Sequence, residues 1–303
     1  MSLIQRVSVP ELDKMLGIKH SVLDKGFVRV IDYMGDDSAV VQAARVSYGE
    51  GTKNIRQDAA LINYLIKHKH TSPFEMCEIK LHIKLPIFIA RQWIRHRTAN
   101  VNEVSARYSV LPKEFYIPDI QNIATQSKDN KQGRGDVVSK ANAEQIIDIL
   151  TKDSHDCYNN YLKLLGGEIT SSDEDKLVSG QEVSKSEGLA RELARINLSL
   201  NFYTEWYWKI DLHNLLHFLN LRLHPHAQFE IREYARIIFE IVQKWCPITT
   251  RAFEDNVLNS KTFSSKAIEA ISAMIKGAKG DADSFGLSKR EYNEILEALK
   301  INS

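Results

Sequence analysis

Residues 76–97 read MCEIKLHIKLPIFIARQWIRHR, and the spacing of their apolar residues predicts two successive elements. From Ile79 to Leu85 apolar residues alternate with polar ones, which is typical of a strand with one buried face. Pro86 ends that strand and can open a helix, because proline is tolerated in a first turn. The run over 87–97 fits that helix. The stretch therefore predicts a strand that leads directly into a helix.

The alternation that is typical of strands and the spacing that is typical of helices recur along the rest of the chain. A second strand is predicted over 26–33, and the Asn-, Gly- and Lys-rich residues 121–138 predict a loop. Helical spacing predicts helices over 37–48, 56–69, 139–165, 189–200, 211–221 and 226–246. Strands alternating with helices indicate an α/β or α+β chain with much helix.

Two segments stand apart from this pattern. Residues 166–188 are polar and rich in Gly and Ser, which predicts an exposed insert. From residue 258 onward the sequence predicts a C-terminal extension with two further helices. The last of these opens with Ser288 and Glu291 at capping-box spacing.

Composition restricts the class of protein. The chain has 303 residues and is 43% hydrophobic, values that belong to a globular protein with a sizeable core. Forty Lys and Arg residues nearly balance 39 Asp and Glu residues, for a net charge of +1. This balance argues against a protein that coats nucleic acid, which needs a basic excess. A small anionic substrate needs only local charge.

The setting expected from the sequence is the cytoplasm. Cys77, Cys157 and Cys246 have no CxxC spacing, so they predict neither a disulfide framework nor a zinc site. Sparse, odd cysteines favour a reducing compartment. The first residues lack the apolar core of a signal peptide, and no apolar stretch is long enough to span a membrane.

The densest cluster of polar side chains that could carry chemistry lies over 91–108. Arg91, Arg95, His96, Arg97 and Arg107 concentrate positive charge on an almost neutral chain. Arginines four apart on a helix repel each other, and a bound phosphate would reverse the sign of that interaction. A solvated basic helix end explains the same pattern. On this cluster alone the two interpretations weigh about equally. A third, an RNA-binding module, would use the same patch with Tyr108 for stacking.

A second polar group follows at 211–232. His213 and His217 lie four apart on a predicted helix with an opposite leucine face. Histidines at this spacing can ligate a metal, as in a metal-dependent hydrolase. The glutamate of the HExxH pattern is missing, so hydrogen-bonding histidines on a cleft wall are favoured. Neither a Walker nor a Rossmann phosphate loop occurs in the sequence.

Together these residues resemble the flavin-dependent thymidylate synthases. Arg95-His96-Arg97, seven residues and then Ser105 match the RHR-x7-S motif of that family, and the spacer fits its N-E-x-S-x-R-Y pattern. Further matches, all in order, are Ser72-Pro73-Phe74-Glu75, Arg91-Gln92-Trp93, Phe115-Tyr116-Ile117-Pro118, Arg191 to Arg195, Asn220-Leu221-Arg222 and His226-Ala227-Gln228. The resemblance covers about residues 22–255.

The resemblance implies a fold, an assembly and a reaction. The expected fold is α+β, a twisted and mainly antiparallel sheet flanked by long helices. The expected catalytic domain spans 1–257, with 258–303 as a helical C-terminal extension. Four copies would form a homotetramer whose active sites combine several subunits. The enzyme would methylate dUMP to dTMP with methylenetetrahydrofolate as carbon donor and FAD reduced by NADPH, without a covalent enzyme nucleophile, a metal, nucleic acid or membrane.

The resemblance also assigns roles to individual residues. The positions that match dUMP-contacting residues are Gln92, Trp93, Ile94, Arg95, Glu103, Val104, Ser105, Ala106, Arg107, Arg195 and Arg222. Those that match FAD-contacting residues are Ser72, Arg95, His96, Arg97, Glu103, Asp211, Leu212, His213 and His217. Arg222 takes the catalytic position that stabilises negative charge on the uracil ring.

The chain departs from the family pattern at two positions. Met76 stands where a histidine often follows SPFE, and Asp211 stands where many members have asparagine. An acidic Asp211 would repel phosphate, so we expect it to accept a hydrogen bond from a ring or ribose donor.

Overall fold

The structure, a computed structural model, describes residues 6–46, 55–128, 133–166 and 187–300. It divides into two compact units, Met1–Thr250 and Arg251–Ser303. The domain boundary expected at 257/258 stays a prediction. Apart from residues 166, 187 and 188, the predicted polar insert lies outside the described residues.

The first unit is built on a five-stranded sheet in the order β1-β2-β3-β7-β4. Its strands are β1 (Lys19–Val22), β2 (Gly26–Met34), β3 (Glu78–Pro86), β4 (Asn100–Glu103) and β7 (Tyr203–Asp211). A separate hairpin contains β5 (Ala124–Gln126) and β6 (Arg134–Val137). Each pairing between these strands is antiparallel, which confirms the expected mainly antiparallel sheet.

Both units contain helices. They are α1 (Pro10–Asp13), α2 (Asp37–Ala44), α3 (Ile55–Lys67), α4 (Ser72–Glu75), α5 (Ile87–Trp93), α6 (Lys140–Leu164), α7 (Arg191–Ala194), α8 (Leu212–Arg222), α9 (Phe229–Trp245), α10 (Pro247–Phe253), α11 (Ser265–Ile275) and α12 (Lys289–Ala298). Short 3-10 turns cover Ile120–Asn122 and Arg195–Asn197, and a π-helical turn covers Glu254–Leu258.

The alternation of apolar and polar residues in β3 buries one face of the strand, as predicted. Ile79, Leu81 and Ile83 are almost completely buried, whereas His82 and Lys84 lie on the other face. The buried side of the sheet packs against α5, α8 and α9. Burial of this apolar face stabilises the sheet by roughly 25 cal/mol per Å² removed from water.

An aromatic cluster connects the sheet to these helices. Trp93, at the end of α5, meets Trp206 and Trp208 edge-on at centroid distances of 5.9 and 5.2 Å. It also stacks on Phe218 of α8 at 4.7 Å. Because aromatic pairs add specific geometry to apolar burial, this cluster fixes the end of α5 relative to α8.

The structure differs from the sequence predictions in several places. The helix predicted over 87–97 ends at Trp93, so the RHR motif lies in the connection to β4. The helix predicted over 189–200 is only the single turn α7 followed by a 3-10 turn. The loop predicted over 121–138 contains the β5–β6 hairpin. Strand β7, which lies between β3 and the edge strand β4, was not predicted, because its aromatic residues occupy both faces and hide the alternation. The short strands β1 and β4 were not predicted either.

The second unit has a small core of its own. Ala267 and Ala270 of α11 pack with Leu287 and with Ile295 of α12. Ser288 and Glu291 form the predicted capping box at the start of α12. This reciprocal bonding satisfies two backbone donors that a helix start otherwise leaves open.

Candidate active site

A cavity of about 350 Å³ lies where the connection after α5 meets α8. The chain leaves α5 at Trp93 and crosses to β4, while α8 begins directly after β7. This topology brings the RHR motif against the C-terminal half of α8. The lining residues are Arg95, His96, Arg97, Thr98, Ile210, Asn214, His217, Leu221 and Arg222.

A hydrogen bond between Arg222 and His96 organises the cavity. Arg222 Nε donates to His96 Nε2 at 3.0 Å, so this ring nitrogen must be the unprotonated one. Burial, followed by the charges of Arg222 and His217, lowers the pKa of His96 to about 4. The imidazole is therefore neutral at pH 7 and serves as the acceptor that holds the guanidinium.

The charge in this cavity is positive and uncompensated. Within the described ranges, no carboxylate forms an ion pair with Arg95, Arg97 or Arg222. Burial lowers the pKa of the Arg222 guanidinium, which nevertheless stays charged because arginine is not deprotonated in proteins. Three guanidinium groups without a protein counter-ion suit an anionic ligand such as phosphate.

The first turns of α8 supply a polar wall. Asp211 caps the helix by accepting a hydrogen bond from the Asn214 backbone N–H at 2.9 Å. Its second carboxylate oxygen accepts one from the Asn214 amide at 2.8 Å. Asn214 and His217 line the cavity, three residues apart on one face. Asn214 belongs to the polar group at 211–232 but was assigned no role from the sequence, although its spacing of three from both Asp211 and His217 could have indicated one.

A second group of predicted residues lies apart from this cavity lining. Ser105 Oγ accepts hydrogen bonds from the Arg107 backbone N–H at 3.4 Å and from Arg107 Nε at 3.5 Å. Arg191 donates to the Tyr108 carbonyl at 3.4 Å. Arg195, one turn further along, donates to the Glu192 carbonyl at 3.3 Å.

Buried Tyr161 of α6 lies near the charges of Arg191 and Arg195. Burial raises the pKa of the Tyr161 phenol, and the nearby charges of both arginines act in the opposite direction. Arg191 Nε is buried and has no hydrogen-bond partner among the residues that the structure describes. Ala106 and Ala194 share one hydrophobic cluster with Tyr161, which holds the two arginine-bearing segments together.

The remaining predicted site residues differ in how far they are buried. Trp93, Ala106 and Leu212 are buried in the core. The Gln92 side-chain oxygen is buried without a partner in the described part of the chain. Ile94 is exposed. None of these five side chains lines the cavity at Arg222.

Glu103 and Val104 line a different cavity of about 410 Å³ beside β7. Ser72 begins the short helix α4, which packs against α8, and its neighbour Met76 is exposed. His213 lies partly exposed in the first turn of α8. No group of three or more His, Cys, Asp or Glu residues placed to hold a metal occurs in the described ranges.

Known proteins resemble this chain over almost its whole length. Residues 29–248 match the family described as thymidylate synthase complementing protein. A flavin-dependent thymidylate synthase of Rickettsia prowazekii is 58% identical over 297 residues, 98% of each chain. One from Ehrlichia ruminantium (strain Welgevonden) is 54% identical over 298 residues, 98% of this chain and 93% of the relative.

A solved structure shares the fold. It is the UMP/dUMP methylase PolB of Streptomyces cacaoi, crystallised with 5-Br dUMP. The TM-score is 0.65 at 28% identity, covering 80% of this chain and 100% of PolB. Among the described residues, no helix is both long enough and apolar enough to cross a membrane. The match over residues 29–248 and the two relatives above show that the chain belongs to the flavin-dependent thymidylate synthases, the enzyme family that its RHR-x7-S motif resembles.

Proposed function

We propose that the protein methylates dUMP to dTMP with methylenetetrahydrofolate as carbon donor, and that FAD, reduced by NADPH, supplies the hydride. The cavity at Arg222 carries this proposal, because Arg95, Arg97 and Arg222 converge there and no carboxylate of the described residues pairs with them. The family match and the brominated dUMP bound to PolB support it.

The residues of this cavity fit a flavin nucleotide. Arg95 and Arg97 offer the positive charge that a diphosphate needs, and arginine can bind it in bidentate fashion. The neutral His96 adds no further charge, and Asn214 and His217 offer hydrogen-bonding groups on the opposite wall. The resemblance-based roles of Ser72, Asp211, Leu212 and His213 in FAD binding remain part of this proposal.

Arg222 is proposed to stabilise negative charge that develops on the uracil ring. Its Nε is occupied by His96, so the two terminal nitrogens remain for a ligand. The guanidinium is partly buried, which lowers the local dielectric and strengthens its field. A preorganised cation in such a setting lowers the barrier of a charge-forming step.

Ser105 is proposed to bind substrate rather than to attack it. Both hydrogen bonds that the structure describes for its hydroxyl come from Arg107, a cation that cannot take up a proton. A serine nucleophile needs an adjacent base. This pairing therefore supports a reaction without a covalent enzyme nucleophile.

The nucleotide site is proposed to form between copies of the chain in a homotetramer. Ser105, Arg107 and Arg195 do not line the cavity that contains Arg95 and Arg222. Large apolar side chains surround this second group: Tyr108 and Ile196 are each 76% exposed. Exposed apolar patches of this kind mark interaction surfaces. A second copy that covers them would bring the two arginine groups together.

The proposal extends to the domain organisation and the cellular setting. All the residues with proposed roles lie in the first compact unit, in keeping with a catalytic domain over 1–257 and an extension over 258–303. Cys77 and Cys246 are buried free thiols, which fits a reducing cytoplasm.

The proposed function is tested with purified, FAD-loaded protein supplied with dUMP, methylenetetrahydrofolate and NADPH. We expect dTMP to form only when all three are present. Arg222→Ala should abolish dTMP formation and leave the flavin bound, while Arg236→Ala on the exposed face of α9 should change neither. Near-normal dTMP formation by Arg222→Ala would show that the role assigned to Arg222 is wrong.

A further inference from the structure

Thr204 and Glu103 form a short hydrogen bond at the end of the sheet. The Thr204 hydroxyl donates to Glu103 Oε1 at 2.6 Å. Among the residues that the structure describes, Thr204 is the only donor to this carboxylate. A distance of 2.5–2.7 Å is typical of a hydroxyl bonded to an ionised carboxylate, about twice as strong as a neutral bond.

The two partners differ in mobility. Thr204 is 5% exposed, pairs with Leu85 in the antiparallel register of β3 and β7, and has a β-branched side chain with restricted χ1. Glu103 is exposed at the end of the edge strand β4, where a free glutamate side chain populates several rotamers. Thr204 therefore holds the Glu103 side chain in one orientation.

The backbone supports the same geometry. Glu103 pairs with Trp206, and the next amide, Val104 N–H, donates to the Glu205 carbonyl at 2.9 Å. Residues two apart on a strand share a face, so Thr204 and Trp206 place their side chains on the side where Glu103 lies. Glu103 is held in position by its backbone and by one carboxylate oxygen.

We propose that Thr204 is a positioning residue for the nucleotide site. Its hydroxyl occupies one oxygen of Glu103, and the other oxygen then accepts a hydrogen bond from dUMP, whose donors are the uracil N3–H and the 3′-hydroxyl. This inference rests on the proposed function, because Glu103 is assigned to dUMP through the family resemblance. Thr204 itself touches no ligand.

The test measures the dissociation constant of dUMP by calorimetry on the FAD-loaded oligomer. Thr204→Val keeps the shape and removes the donor, and we expect it to raise the Kd about three- to tenfold. Thr204→Ser restores the hydroxyl and should stay within about twofold of wild type. Thr250→Val, which removes another buried threonine hydroxyl bonded to backbone carbonyls, should leave the Kd unchanged.

A second pair of variants separates positioning from general destabilisation. In a Glu103→Gln background, adding Thr204→Val should cause little further loss of dUMP affinity, because the carboxylate that Thr204 holds is already absent. If Thr204→Val does not fold, Thr204→Ala is measured in the same two backgrounds.

The inference is overturned by wild-type affinity in Thr204→Val, by Thr204→Ser binding as weakly as Thr204→Val, or by equal losses in both backgrounds. Failure of the unmodified, FAD-loaded protein to bind dUMP would instead remove the proposed function, and this inference with it.

Discussion

Arg222 Nε donates a hydrogen bond to His96 Nε2 at 3.0 Å across the cavity between the RHR connection and α8. The middle histidine of the RHR motif thus holds the arginine that the proposed chemistry needs. No carboxylate in the part of the chain that the structure describes pairs with the flanking arginines of the motif, so both can bind an anion. One tripeptide therefore combines an acceptor for Arg222 with two cationic groups.

Removal of the His96 acceptor should release Arg222. We expect His96→Ala to lower kcat/KM for dTMP formation about 10- to 100-fold, the value of one hydrogen bond to a charged group. Gln places an oxygen near the position of Nε2, so His96→Gln should recover part of that loss. Equal rates in His96→Ala and wild type would show that the bond does not position Arg222.

The state of His96 also predicts a pH dependence of stability. Its folded pKa of about 4 lies below the usual histidine value near 6.5, so between these values the unfolded chain binds more protons. Stability from this group is complete above about pH 6.5 and is lost as the pH falls toward 4. The Tm of the wild type should therefore fall more between pH 6.5 and 4.5 than that of His96→Gln. Parallel Tm curves would contradict the neutral, buried state.

Asn214 should contribute to flavin affinity. It lines the cavity, and its amide is oriented by Asp211. We expect Asn214→Ala to weaken FAD binding to the apoprotein about two- to tenfold, as one lost hydrogen bond implies. Asn160→Ala, at an exposed position of α6, serves as the control. Unchanged FAD affinity in Asn214→Ala would remove this residue from the site.

The hairpin β5–β6 should stabilise the first unit through a buried charge. Arg134 forms an ion pair with Glu230, whose side chain is 2% exposed and also accepts from Tyr116 and Gln228. Arg134→Ala should lower the free energy of unfolding by about 1.5–3 kcal/mol, because it leaves that carboxylate without its cation. In denaturant melts, Glu230→Gln should reduce the cost of the same substitution. An equal cost in both backgrounds would contradict the pairing.

The extent to which sequence predicts this structure differs between elements. The alternation in β3 is clear because one face is uniformly apolar, and that strand was predicted almost to its ends. The same alternation did not reveal strand β7, because the aromatic Tyr207 lies on the outward face and the polar Thr204 lies on the buried face. Helical spacing also runs past Trp93, yet the helix ends there because the chain must turn toward β4.

The candidate site shows the same division. The RHR-x7-S motif indicates the correct family and the residues that line the cavity from the α5 side. Contacts between distant segments, such as Arg222 with His96 or Thr204 with Glu103, depend on tertiary packing and have no local signal. A motif also cannot show that Trp93 is enclosed by the aromatic core.

In the proposed assembly, two arginine groups from different copies form one nucleotide site, and mixed oligomers test this arrangement. Arg222→Ala and Arg107→Ala proteins, each inactive alone, are unfolded together, refolded and assayed for dTMP. Because each site draws its two groups from separate chains, we expect about a quarter of the wild-type rate in the mixture. A mixture no more active than either parent would contradict the shared site.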